Sequence, residues 1–470
     1  MKSRHGFWML AAAVILLAGC GGKEKISQAG DFDVVVVGGG AAGLAAAIEA
    51  AEAGASVALL EKMPMAGGST VLSGGIVYAT GSRMQKAAGV EDSVEDLVKY
   101  WSDRADGQND PEFLRFVAER SGGTIDWLQD LGAELTGPTP SGTSPVLRAH
   151  TSATHGAGLV NPLKARAEAL GVKFFLRTAA GSLETADGRV TGVLARDRED
   201  KTLRFGAGAV VLATGGFDRN PELVHEYAPV ADGQTTFCGS GNTGDGLSMA
   251  LALDADVVAR GGVIGFRAVE GEPAYTTDIC MLMWMPYLYV NRQGERFINE
   301  ITDYPLFYEE LIRQPGQVSY LIFDGNTRTD ALDEAVTKGS AFRADTLEEL
   351  ASLAGIDPAG LAETVAGYNG MIEAGTDSRF GKPLAGMPQV EKPSFYALKI
   401  VPAILGTMSG VKVDLDARVI DRAGKAIPGL FAAGEVANGS FFNKVYPASG
   451  TSIQMSLTFG RVAGRNAAAE

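Results

Sequence analysis

Asp33-Val-Val-Val-Val37 runs without a break into Gly38-Gly-Gly40-Ala-Ala-Gly43, and an alanine-rich helix former follows over residues 44–53. A continuous β-branched run is what a parallel strand buried on both faces requires. Residues 57–60 form the next strand and end at Glu61, 18 residues after Gly43. Strand, glycine loop, helix, strand and acid in that order make the βαβ unit that holds a dinucleotide. Gly38 serves the tight turn, Gly40 lets the backbone approach a pyrophosphate, and Gly43 lets the helix pack on its strand. The helix N-terminus faces the phosphates, and Glu61 can accept from a ribose hydroxyl.

A second match, Gly239-Ser-Gly241-Asn-Thr-Gly244, lacks both a preceding β-branched strand and a suitably placed acid. It reads as a loop, so the chain has no convincing separate NAD site. Residues 189–197 and 203–213 read as paired strands ending at Ala213-Thr-Gly-Gly216, and Gly429-Leu-Phe-Ala-Ala-Gly434-Glu435 is a further strand running into glycine. A nucleotide domain assembled from both ends of the chain is therefore expected, with residues 31–261 and 406–470 as its two parts. Between them, an aromatic and Met-rich stretch at 281–289 and polar helical stretches at 346–353 and 359–373 mark an inserted domain over 262–405. A length of 470 residues suits such a division, because one core rarely organises so long a chain.

The formal charge of −15 argues against nucleic acid as a partner, since phosphate contacts need basic patches. The N-terminus is read as processing signal rather than fold. Lys2, Arg4 and His5 precede an apolar run at 7–17 that is too short to span a bilayer. Leu17-Ala-Gly-Cys20 then resembles the bacterial lipobox, which implies a signal peptide over 1–20, lipidation of Cys20 and an extracytoplasmic, membrane-anchored protein. Residues 21–30 read as a flexible tether. Cys238 and Cys280 remain; no haem or iron–sulfur spacing exists, and either a disulfide or two buried thiols is open.

Several segments together resemble the fumarate reductase/succinate dehydrogenase flavoprotein superfamily, which includes soluble fumarate reductases, urocanate reductases and 3-ketosteroid dehydrogenases. They are Val37-Gly-Gly-Gly-Ala-Ala-Gly43, Glu61-Lys62, Gly67-Gly-Ser-Thr70, Ala213-Thr-Gly-Gly216, Gly244-Asp-Gly246, Arg296-Phe-Ile-Asn-Glu300 and Ala433-Gly-Glu435. The resemblance implies an α/β fold: a discontinuous Rossmann-like FAD-binding domain with an inserted α+β capping domain. It implies FAD contacts from Gly38, Gly40, Ala42, Gly43, Glu61, Lys62, Gly68, Ser69, Thr70, Gly75, Thr214, Gly215, Gly434, Glu435, Ser452 and Ile453. Members with covalent FAD carry a histidine where Ser69 stands, so noncovalent FAD is expected. Arg296 and Glu300 read as anchors of the cap. Arg148, His150 and His155 lie in a segment that runs near the flavin in relatives.

On the substrate side the sequence departs from fumarate reductase. The family's His-Thr-Met-Gly segment reads Gly406-Thr-Met-Ser-Gly410, the position of the proton-donor arginine holds Tyr304, and the clamp arginine gives way to Tyr446-Pro-Ala-Ser-Gly450. These replacements are similar to 3-ketosteroid dehydrogenases, and imply Tyr304 as acid/base with Tyr446 and the Gly450 amide holding a ketone oxygen. Hydride exchange at a carbon–carbon bond conjugated to a carbonyl is the expected reaction. Reduction of an unsaturated carboxylic acid, with Arg267 or Arg292 as the anchor, is the alternative. A cytochrome, the quinone pool or a flavoprotein would exchange electrons with the enzyme.

Overall fold

The computed structural model describes residues 26–470. The signal segment, Cys20 and the first five residues of the expected tether lie outside them. The first strand, Ser27–Val37, is the centre of an eight-stranded sheet. It pairs in parallel with Val57–Glu61 on one side (Val34 opposite Val57) and with Thr202–Leu212 on the other (Val34 opposite Ala209). Lys173–Leu176 extends the sheet beyond the second strand, and Ala426–Ala432 from the far end of the chain extends it beyond Thr202–Leu212. The nucleotide-binding sheet is thus assembled from both termini. Val34, Val35 and Val36 are fully buried, because Ala41–Glu52 and the C-terminal helix Thr451–Ala467 cover this layer.

The tether is a correction. Ser27, Gln28 and Gly30 pair with Leu203, Arg204 and Phe205, so the strand begins within the segment read as flexible. Those residues carry no β-branched signal; the partner strand supplies the hydrogen bonds that hold them extended.

A second, six-stranded sheet carries the capping domain. Its spine is Phe395–Thr407, which pairs with Thr235–Thr236, Val263–Val269, Ser319–Phe323 and Ala341–Ala344. This sheet already takes its first strand at Thr235, ahead of the expected boundary at 262, and its spine ends at Thr407, past 405. The cap is locked internally by four buried charges. Arg296 donates to both oxygens of Glu300 (2.8 and 2.9 Å) and to Asp377 (2.9 Å), while the Lys382 ammonium lies 3.1 Å from Glu300. This agrees with Arg296 and Glu300 as anchors. Among the described residues no helix is long and apolar enough to cross a membrane.

A three-stranded sheet on the nucleotide side, Ile76–Tyr78, Leu135–Ser141 and Ser144–Ser152, ends in a hairpin tip at residues 141–144. That tip reaches the helix Tyr304–Leu311 of the cap. The contact brings the sequence-predicted tyrosine to the nucleotide domain.

Candidate active site

A groove follows the C-terminal ends of the parallel strands, where open α/β sheets bind ligands. Gly38, Gly40, Ala42, Glu61, Lys62, Gly68, Ser69, Thr70, Thr214, Gly215, Gly434 and Glu435 all line it. Three glycines divide the labour. A Cβ on Gly38 would stand 2.2 Å from the Ala213 carbonyl oxygen, and one on Gly43 would stand 1.9 Å from the Gly38 carbonyl oxygen. Those two positions are needed for the protein's own packing. A Cβ on Gly40 would meet nothing within 4 Å, so the space it leaves belongs to a ligand in the groove. Gly40 also caps Ala41–Glu52 with no side-chain hydrogen bond and no acid in the first turn, which suits a bound pyrophosphate. Glu61 is preset at the adenosine end, where its oxygens accept from the amides of Gly39 and Met63, each at 2.8 Å. The site fits an extended dinucleotide such as FAD, and no histidine or cysteine lines the groove among the described residues.

The second glycine motif is a loop, as read, yet it forms the outer wall of this groove. Gly239 donates to the Ser69 hydroxyl at 3.0 Å, and the Lys62 ammonium crosses to Thr243 (2.6 Å) and Asp245 (2.7 Å). Spacing alone gave no hint that the loop folds over the first motif. Two expected contacts are corrected. Gly75 lines neither cavity; its φ of +70° and its approach to the His155 backbone make it a turn residue. Gly43 acts through packing rather than at the groove surface. Arg148 and His150 are also held elsewhere, Arg148 in a buried ion pair with Asp92 and His150 against the Ser82 hydroxyl at 2.8 Å.

A cavity of about 420 Å³ adjoins the groove, sharing Ser69, Thr70, Leu72, Glu435 and Ser456 with it. Phe237, Phe266, Tyr275 and Trp284 make one wall, all in edge-to-face contact with Phe266. Tyr304, Tyr446, Ser449 and the Gly450 backbone make the polar end, with Ser452 and Ile453 beside them. Tyr304 comes from the cap and Tyr446 from the nucleotide domain, and their rings stack at 6.4 Å. No arginine, lysine or histidine borders this cavity among the described residues, whereas Asp303 and Glu435 do. Arg267 lies off it, with its guanidinium 4.2 Å from the centre of the Phe307 ring, and Arg292 does not reach it. Cys238 borders the cavity as a free buried thiol; Cys280 is free and buried in the cap.

Electrostatics set the protonation of the polar end. Burial, the neighbouring Tyr446 and the Asp303 carboxylate push the Tyr304 phenol well above its ordinary value. Burial also raises Tyr446, against the pull of the Ser452 amide, which donates to its oxygen at 2.9 Å. Both phenols are therefore neutral donors at physiological pH. The Ser452 bond occupies the Tyr446 oxygen as an acceptor and leaves its O–H to donate into the cavity. At the junction of the two spaces Glu435 accepts from the Thr407 amide at 2.6 Å, and burial with the nearby Asp218 raises its carboxyl.

The family described as FAD binding domain matches residues 33–453. A cytochrome-type fumarate reductase of Shewanella frigidimarina is 34% identical over 455 residues, covering 93% of this chain and 77% of that protein. The solved open conformation of a flavocytochrome c3 fumarate reductase shares 33% identity with a TM-score of 0.77, over 94% of this chain and 79% of the other. A 3-ketosteroid-Δ4-(5α)-dehydrogenase from Rhodococcus jostii, solved with 4-androstene-3,17-dione, shares 29% identity with a TM-score of 0.75, over 94% and 98%.

Proposed function

Since the chain belongs to the fumarate reductase/succinate dehydrogenase superfamily of FAD-dependent oxidoreductases acting on carbon–carbon bonds, we propose that its substrate is an uncharged enone or 3-ketosteroid-like molecule. The observation that carries this reading is the cavity lining, which offers two phenols, the Asp303 carboxylate, the raised carboxyl of Glu435 and no cation. A dicarboxylate would enter that space without a counter-charge and face Asp303, an arrangement that burial makes costly. A ketone needs only donors; the Tyr446 hydroxyl, bordering the cavity, would be one, and the Gly450 amide, which also faces the Tyr446 oxygen, would be the other. The aromatic wall with Trp284 suits a flat apolar body.

FAD, when bound, supplies the hydride chemistry at the carbon–carbon bond. The residues of this chain manage charge and protons around it. Charge that builds on the carbonyl oxygen would be met by the Tyr446 hydroxyl and the Gly450 amide. Tyr304, held protonated by its surroundings, gives its proton to the neighbouring carbon in the reducing direction. The same tyrosine would accept that proton in dehydrogenation, but a neutral phenol is prepared for donation. The aromatic wall excludes water from the reacting atoms.

The lipobox-like Leu17-Ala-Gly-Cys20 supports an extracytoplasmic protein anchored by lipid on Cys20, exchanging electrons with a cytochrome, the quinone pool or a flavoprotein. Acyl labelling that disappears in Cys20→Ser tests the anchor. For the reaction, reduced holoenzyme is mixed anaerobically with a panel of enones, ketosteroids, fumarate and urocanate. Reoxidation is expected with enones and ketosteroids, and fumarate as the best oxidant would overturn the reading. Tyr304→Phe should lower turnover by about 10²-fold or more, within the range of a lost general acid, while FAD remains bound. Wild-type turnover in that variant would remove Tyr304 from the mechanism.

A further inference from the structure

The residue before Tyr304 carries more connections than an ordinary helix cap. Asp303 caps the helix Tyr304–Leu311 by accepting from the Tyr304 amide at 2.8 Å. Its carboxylate also accepts from the Gly142 amide at 2.7 Å and the Ser141 hydroxyl at 2.9 Å. The Ser449 hydroxyl donates to both of its oxygens, at 3.0 and 3.3 Å. Asp303 belongs to the cap, whereas Ser141, Gly142 and Ser449 all belong to the nucleotide side. No lysine, arginine or histidine pairs with this carboxylate among the described residues. Four neutral donors converge on it instead, and hydrogen bonds to a charged acceptor are the strong kind.

The receiving notch is built independently of the cap. The Ser449 amide donates to the Ser141 hydroxyl at 3.0 Å, which joins the hairpin tip to the segment ahead of the C-terminal helix. The Tyr100 hydroxyl donates to the Pro447 carbonyl at 2.6 Å and accepts from the Thr143 amide at 3.1 Å. Gly142 is wedged so closely there that a Cβ would stand 2.1 Å from the Tyr100 hydroxyl oxygen. Further along the same helix, Glu309 pairs with Arg104 of the nucleotide side. The helix bearing Tyr304 is therefore held against the nucleotide domain at two points.

We propose that Asp303 is a positioning residue that makes closure of the cap and assembly of the proton donor a single event. Docking of its carboxylate in the Ser141–Gly142–Ser449 notch fixes the helix start and so brings Tyr304 to Tyr446. With the carboxylate undocked, Tyr304 leaves with the cap and the cavity opens. The inference rests on Tyr304 as the acid, but its first readout does not.

The test uses holoenzyme and two measurements: the rate of limited tryptic cleavage in the cap, and kcat and KM with the best enone of the panel. Asp303→Ala is expected to speed cleavage and to lower kcat by about tenfold or more, the scale of losing one charged hydrogen bond. Ser141→Ala, which removes a donor that does not border the cavity, should move both readouts the same way by a smaller factor. Asp303→Asn keeps one acceptor oxygen and should recover part of both. Tyr304→Phe keeps all the Asp303 contacts in the notch, losing only the phenol's contact with Ser449, and should show cleavage close to wild type whether or not it is active, so failure of the acid role is seen separately. The proposal is overturned if Asp303→Ala leaves cleavage at the wild-type rate. It is equally overturned if Ser141→Ala leaves both readouts unchanged while Asp303→Ala loses turnover, because Asp303 would then act by charge alone. Should Asp303→Ala fail to fold, Ser141→Ala with Asp303→Asn decides the matter.

Discussion

Gly40 and Gly43 stand three positions apart, one capping the helix Ala41–Glu52 and the other in its first turn, and the structure gives them opposite reasons for lacking a side chain. A methyl on Gly43 would stand within 1.9 Å of the Gly38 carbonyl oxygen, so the helix Ala41–Glu52 would have to leave its strand. A methyl on Gly40 would touch no protein atom. Its backbone φ of −77° is open to alanine, and only a ligand would collide with it. Gly43→Ala should therefore destabilise the apoprotein by about 1–3 kcal/mol or more, as overpacking does, visible as a lower Tm before any FAD is added. Gly40→Ala should keep the apoprotein's unfolding free energy within about 0.5 kcal/mol of wild type and raise the FAD Kd about tenfold or more, an effect of about 1.4 kcal/mol. Equal damage to apoprotein stability in both variants would mean that the groove glycines serve the fold alone.

At the scale of elements, the cap owes its unity to charges rather than to sheet pairing alone. Glu300 faces Arg296 and Lys382 with all three side chains out of solvent, and Asp377 completes the set. Glu300→Gln would leave two buried cations to share one carboxylate, which should cost about 3–5 kcal/mol. Thermal unfolding followed by circular dichroism should show the loss, and a Tm unchanged from wild type would refute it. Segments whose order depends on local signals were readable in advance. The helices Leu347–Ala354 and Pro358–Ala374 open at Thr346 and Asp357, side chains that cap them, and the strand Val57–Glu61 stands at residues 57–60, which read as the second strand of the βαβ unit. Segments ordered by distant partners were not. Ser27–Gly30 reads as a tether because its order comes from Leu203–Phe205, and the loop 239–244 reads as idle because its contacts with Lys62 and Ser69 lie far off in sequence. Asp303 drew no reading from the sequence, since its donors on the nucleotide side are 146 to 162 residues away. Tyr304 and Tyr446 were visible because their neighbours form motifs; that they face one another is a product of tertiary packing.

Across the whole molecule the buried phenols form a population with one thermodynamic consequence. Tyr78, Tyr289, Tyr308, Tyr368 and Tyr446 are all buried. Burial pushes Tyr289 and Tyr308 up to about 12, and raises Tyr78, Tyr368, Tyr446 and Tyr304 as well. In the unfolded chain a tyrosine loses its proton near pH 10. Above that pH the unfolded state binds fewer protons than the folded one, so stability is whole below about pH 10 and is lost as pH rises through the folded values. Each such tyrosine steepens the loss by about 1.4 kcal/mol per pH unit while it remains protonated in the fold. The Tm of the holoenzyme should accordingly change little between about pH 8, where the raised Glu435 carboxyl ionises, and about pH 10, and fall sharply beyond it. Absorbance of tyrosinate at about 295 nm should report fewer than all 12 tyrosines in the folded protein, the remainder appearing together with loss of the native circular dichroism. Complete ionisation of every tyrosine with a midpoint near pH 10, in protein that is still folded and holds FAD, would show that the phenols are wet. It would also remove the reason for regarding Tyr304 as an acid kept protonated by the cavity around it.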